Sequence, residues 1–151
     1  MNIIRDGQPR MADEVFHAWT SKEMSRMLAA LNVPTHPVDR HFLLQSIVEQ
    51  AYKGRDDPKL RSLAEEIAWK HVAEFNALAV ALRREFQRIP PVGLPRVLTF
   101  QYLATLMVER KLFSKAVEVC EFAMQLGLTD GTKGGFESRI QKIRKQEQKG
   151  R

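Results

Sequence analysis

Residues 97–130 read VLTFQYLATLMVERKLFSKAVEVCEFAMQLGLTD, and this stretch decides the fold. Phe100, Leu103, Ala104 and Met107 recur at the three- and four-residue spacing of a helix with one buried face. Phe113, Ala116, Cys120 and Ala123 repeat that spacing. Two antiparallel helices joined by a tight turn satisfy both runs. Small residues stand where the two backbones must approach, and large ones fill the space beside them.

Phe100, the Leu103-Ala104 pair, Phe113, Ala116 and Ala123 resemble the tetratricopeptide repeat, a 34-residue helix–turn–helix unit. The chain departs from that pattern at Met107 and Cys120, where the family favours aromatic residues, and at Leu128, where the repeat usually ends in proline. The resemblance implies an all-α protein of antiparallel helical hairpins, stacked as a short right-handed superhelix with a C-terminal capping helix. It also implies a non-enzymatic interaction module. In this family the first helices of successive repeats line a concave groove that holds a partner peptide or helix. Carried onto this chain, the groove residues are Gln101, Tyr102, Thr105 and Glu109, with Arg40, His41 and Gln45 from an upstream helix. Some family members clamp a peptide's terminal carboxylate with lysine and asparagine. Gln101 and Thr105 stand at two such positions here, which argues against that clamp. The alternative is an irregular helical bundle.

Upstream, Met1 to Phe16 shows no sustained period and carries Gly7 and Pro9, so residues 1–16 are expected to be flexible or extended. Phe16 and Trp19 either pack back onto the domain or anchor a partner. Thr20 or Ser21 can cap a first helix whose stripe is Met24, Met27, Leu28 and Leu31, ending before Pro34. Phe42, Leu43, Ile47, Val48 and Ala51 predict a second helix that starts after Pro37 and runs from Val38 to Tyr52, stopped by Gly54. Asp57-Pro58 opens a third, with Asp57 as cap and Pro58 at the first helical position. Its stripe runs on through Phe75, Leu78, Leu82 and Phe86. Such length is unusual in a compact domain, and Asn76 is a plausible new cap, so a bend or break is expected between Glu74 and Ala77. Pro90, Pro91, Gly93 and Pro95 end the region.

Downstream, Gly127 terminates a helix and Asp130 or Thr132 can cap the next. Phe136, Ile140 and Ile143 give that last helix a narrow apolar stripe, suited to covering the end of a stack. The expected organisation is a flexible segment 1–16, an all-α repeat-like domain 17–146 and a basic disordered tail 147–151.

The net charge of +6 is uneven. Gly131 to Arg151 holds seven basic and two acidic residues, so this end carries most of the excess. Arg139, Lys142, Lys145 and Lys149 recur three or four apart and would form a basic stripe on a helix, a possible contact for nucleic acid phosphates. No aromatic residues interleave them. Cys120 is the single cysteine, which excludes an internal disulfide and thiol-rich zinc sites. Its position favours a small buried side chain. His17, His36, His41 and His71 show no metal-ligand spacing. The glycine-rich 131–135 run lacks the spacing of a phosphate loop, and Asp56-Asp57 and Glu65-Glu66 do not converge. No catalytic residue, metal or cofactor is expected. Without an apolar signal core or a membrane-length apolar run, the expected location is cytoplasmic. The expected partner is another protein or peptide, with nucleic acid as the alternative.

Overall fold

The structure is a computed structural model, and it describes residues 1–87, 94 and 96–150. These residues form mainly helices, with one small two-stranded sheet that an all-α expectation omits. The chain divides into two compact units, Met1–Pro95 and Arg96–Arg151.

The first unit opens with strands β1 (Asn2–Arg5) and β2 (Gln8–Met11), paired antiparallel with Arg5 opposite Gln8. Asp6 and Gly7 close the hairpin at φ +55° and +74°. Two positive φ values make the turn that matches strand twist, and Asp-Gly is a favoured pair for it. Helix α1 (Glu14–Ser21) follows, capped by Asp13, whose carboxylate accepts from the Phe16 amide at 2.9 Å. The segment expected to be flexible or extended is a hairpin of two extended strands leading into a helix, and the expected boundary at residue 16 falls inside α1. Ser21 ends α1 rather than capping the next helix; its hydroxyl donates to the Ala18 carbonyl at 2.6 Å. Helix α2 (Met24–Ala29) is shorter than its apolar stripe suggested and has Glu23 at its N-terminus without a side-chain cap.

Helix α3 (Pro37–Lys53) is the hub of this unit, packing against α1, α2 and helix α4 (Pro58–Phe86). That position explains why α3 buries residues around much of its circumference, from Val38 and Asp39 through Leu43, Leu44, Ile47 and Val48. Each such Leu, Ile or Val contributes about 1.5–3 kcal/mol over an exposed one. Asp57 caps α4 as expected, accepting from the Lys59 amide at 2.9 Å, with Pro58 at the first position. The expected break near Glu74–Ala77 is absent: α4 is one helix of 29 residues. Its buried residues Ala64, Ile67, Ala68, His71, Phe75, Leu78, Ala79 and Leu82 hold helical spacing throughout. Asn76 is exposed and simply faces outward. The Pro90, Pro91, Gly93, Pro95 cluster lies outside the described residues.

The hairpin is fastened to α3. Arg5 reaches Asp39 with Nε at 3.0 Å and Nη2 at 2.7 Å, and Trp19 Nε1 donates to the same carboxylate at 3.0 Å. Trp19 also stacks on Phe42, with ring centroids 4.9 Å apart. At the turn, Asp6 meets His36 Nε2 at 2.8 Å and its amide donates to Glu85 at 2.9 Å.

The second unit holds α5 (Thr99–Glu109), α6 (Phe113–Gln125) and α7 (Gly135–Lys149). Helix α6 packs against both α5 and α7. Phe100, Leu103, Ala104, Leu106 and Met107 are buried from α5, and Ala116, Val119, Cys120 and Ala123 from α6. Phe136, Ile140 and Ile143 of α7 are buried too, as its stripe requires. Helices α5 and α6 end in the same way. Leu112 N donates to Met107 O and Lys111 N to Val108 O, both at 2.8 Å; Leu128 N donates to Ala123 O and Gly127 N to Met124 O, both at 3.0 Å. This bond pair demands a left-handed residue just past the helix, Lys111 at φ +61° in one case and Gly127 at +76° in the other. Helix α7 runs to Lys149, so the expected tail boundary at residue 147 falls inside a helix.

Candidate functional site

Asp130 organises the approach to α7, although it is not the helix cap; Gly134 occupies that position. Its side chain is 1% exposed. One carboxylate oxygen accepts from the Thr132 amide at 2.9 Å and hydroxyl at 2.5 Å, and the other from Arg139 Nε at 3.0 Å. Burial alone would raise this acid's pKa. The Thr132 donors and the Arg139 guanidinium outweigh burial and hold it below the usual carboxylate value. Arg96 Nη2 donates to the Asp130 carbonyl at 3.2 Å. Gly131, at φ +80°, lies against that guanidinium, where a Cβ would come within 2.8 Å of Arg96 Cζ. The loop before α7 is thus fixed by a bonded knot.

Above this knot, α5 and α7 line a common cleft of about 280 Å³. Ala104, Thr105 and Val108 come from α5; Ser138, Arg139, Lys142, Ile143 and Gln146 come from α7. Ala104, Val108 and Ile143 supply apolar wall, while Arg139 and Lys142 bring positive charge. Arg139 is held at Nε by Asp130. Lys142 is exposed and makes no hydrogen bond or ion pair among the described residues.

The expected groove residues separate. Thr105 lines the cleft, with its hydroxyl bonded to the Gln101 carbonyl at 3.0 Å. Gln101 and Tyr102 are half-buried on α5 and do not line it, and Gln101 Oε1 is buried without a hydrogen-bond partner. Glu109 is exposed at the end of α5. Arg40, His41 and Gln45 belong to α3 of the first unit. Arg40 is paired with Glu74, Nε and Nη2 each at 3.0 Å from its carboxylate, and also donates to the Leu31 carbonyl. Gln45 is half-buried. His41 is fully buried and cannot present itself to a partner. Its Nδ1 lies 2.9 Å from Nε2 of His71, which is equally buried. Burial lowers the His41 pKa to about 4 and pushes that of His71 well below the ordinary histidine value. Both rings are therefore neutral at pH 7, one donating to the other.

Of the expected basic stripe, Arg139 gives its Nε to Asp130, while Lys142, Lys145 and Lys149 are exposed on α7. Cys120 is buried, and burial lifts its thiol pKa to about 11. Sequence reading missed Ala104, Val108, Ser138 and Gln146 as cleft residues. The available signal was Asp130-x-Thr132, a short side-chain turn, followed by Arg139 one to two helical turns later.

No family model matches this chain, and neither a curated protein nor a solved structure does. Among the described residues, no helix is long and apolar enough to cross a membrane. Nor do these residues include a group of three or more His, Cys, Asp or Glu placed to hold a metal ion.

Proposed function

We propose that this protein is a non-enzymatic, cytoplasmic interaction module that takes a partner peptide or helix into the cleft between α5 and α7. The observation that carries this reading is the shared cleft: two helices packed on the same third helix, facing one another over a partly apolar space. On this reading α5 and α6 form one tetratricopeptide-like unit, and α7 stands as the first helix of the next and caps a right-handed stack. The cleft then corresponds to the concave side, where first helices meet a ligand.

A peptide library displayed on phage and panned on the full chain tests this. Enriched peptides should lose binding to Val108→Asp and to Thr105→Lys, each first shown by circular dichroism to keep its helicity. Failure to enrich any peptide, or equal capture by both folded variants, would refute the reading.

A second reading is phosphate-backbone binding by Arg139, Lys142, Lys145 and Lys149 of α7, of which the three lysines are exposed. Counterion release would make such binding fall steeply with salt. Labelled DNA and RNA titrated at low and physiological salt test it, and absence of binding at low salt would eliminate it.

A further inference from the structure

We infer that the segment received by the α5–α7 cleft is acidic: an apolar side chain flanked by Asp or Glu, recognised through side-chain carboxylates. This inference rests on the cleft reading above and adds the partner's chemistry.

Three observations converge. The first is charge. Residues 96–151 contain eleven basic and six acidic side chains, so this unit carries +5 of the whole chain's +6. An acidic partner is drawn to such a surface and a basic one is repelled.

The second is how the cleft's own charges are spent. Its one carboxylate, Asp130, is 1% exposed and saturated by Thr132 and Arg139, so it cannot greet a basic ligand. Arg139 gives only Nε to Asp130; its terminal nitrogens have no hydrogen-bond partner among the described residues. Lys142, one turn further along α7, has none either. Two cations with unused donors therefore border the same space. Arg139 is held in place, so less side-chain freedom is lost when it bonds a carboxylate.

The third is shape. At about 280 Å³, with Ala104, Val108 and Ile143 in its wall, the cleft has room and apolar surface for a buried side chain of a bound segment. An apolar anchor inside and carboxylates at the Lys142 and Arg139 rim use both parts of the surface. A nucleic acid strand would use the cations and leave the apolar wall empty.

The probe is a fluorescein-labelled, end-blocked peptide with a single leucine flanked on each side by two acidic residues. Blocked ends remove any terminal carboxylate. Its amide analogue replaces Asp and Glu by Asn and Gln, and a third peptide replaces the leucine by serine. Anisotropy with the full chain at physiological salt should show the acidic leucine peptide binding at least tenfold more tightly than either analogue. Lys142→Glu should weaken that binding at least tenfold. Lys149→Glu, an equal charge change on α7 away from the cleft lining, should weaken it less than threefold. Equal loss in the two variants would reduce the effect to general charge and overturn the inference. Single-stranded RNA binding more tightly than the peptide and displacing it would overturn it in favour of nucleic acid. If the amide analogue binds as well as the acidic peptide and is lost in Val108→Asp, the cleft reading survives and the acidic partner does not. If no peptide binds, the acidic partner is refuted, and the library selection decides the cleft reading separately.

Discussion

Lys111 occupies a left-handed backbone position, φ +61°, where glycine meets no Cβ penalty. Gly127 holds the equivalent place after α6. Lys111→Gly should raise stability by about 0.5 kcal/mol, the released strain being partly offset by the freer unfolded chain. Urea unfolding checks this, and a loss of more than that amount would show that Lys111 makes a stabilising contact. The His41–His71 pair makes a pH-dependent contribution. Both native pKa values are depressed, so the unfolded chain binds protons that the folded chain refuses. Stability is full above the unfolded value near 6.5 and falls as pH drops, by on the order of 3 kcal/mol from His41 alone at pH 4. Groups facing the pair enter too: Arg40 on α3 further disfavours a charge on His71. Replacing the pair with His41→Leu and His71→Met should flatten the stability profile between pH 6.5 and 4; an unchanged slope would place the acid sensitivity elsewhere. Cys120 is shielded by burial, and its thiol at about 11 is protonated at pH 8. A disulfide reagent should label it at the rate of unfolding, not at the rate of an exposed thiol.

At the scale of elements, the helical hairpins were legible because their apolar residues keep one period and their caps are chemically explicit, as at Asp57-Pro58. Two elements were not read. The β-hairpin carries its signal in the Asp6-Gly7 pair, but its strands are mostly exposed, so no apolar alternation announces them. Its position is secured instead by Arg5 and Asp39, 34 residues apart. Helix α1 is eight residues long and buries only Val15 and Ala18, too little to show a period. Conversely, Asn76 suggested a break in α4, but packing against α3 carries the helix through. Arg5→Ala should cost about 3 kcal/mol, because it strands a nearly buried Asp39 with Trp19 as its remaining side-chain donor. Hydrogen exchange would then show faster opening at residues 2–11. Unaltered exchange there would mean that the Arg5–Asp39 pair does not hold the hairpin.

For the molecule as a whole, the site was half legible. Periodicity identified α5, α6 and α7, and the tetratricopeptide resemblance pointed Thr105 toward a groove. Periodicity also singled out the basic residues of α7. It did not disclose that α5 and α7 border one space, because that depends on how both pack on α6. Nor did the sequence show that Asp130 holds Arg139 by its Nε, or that His41 is spent inside the α3–α4 packing. Those are properties of contacts between segments, and a one-dimensional period carries no information about which faces meet. The uneven charge was plain from composition, but its meaning depends on where Lys142 stands.

If the α5–α7 cleft receives an acidic, apolar-anchored segment, the backbone amides lining it should respond to such a segment. Titrating the end-blocked acidic leucine peptide into isotope-labelled full-length chain, followed by amide chemical shifts, tests it most directly. Occupancy of the cleft should give saturable shifts concentrated at Thr105, Val108, Ser138, Lys142 and Gln146. Shifts spread evenly along the exposed lysines, centred on the first unit, or absent at saturating peptide would contradict it.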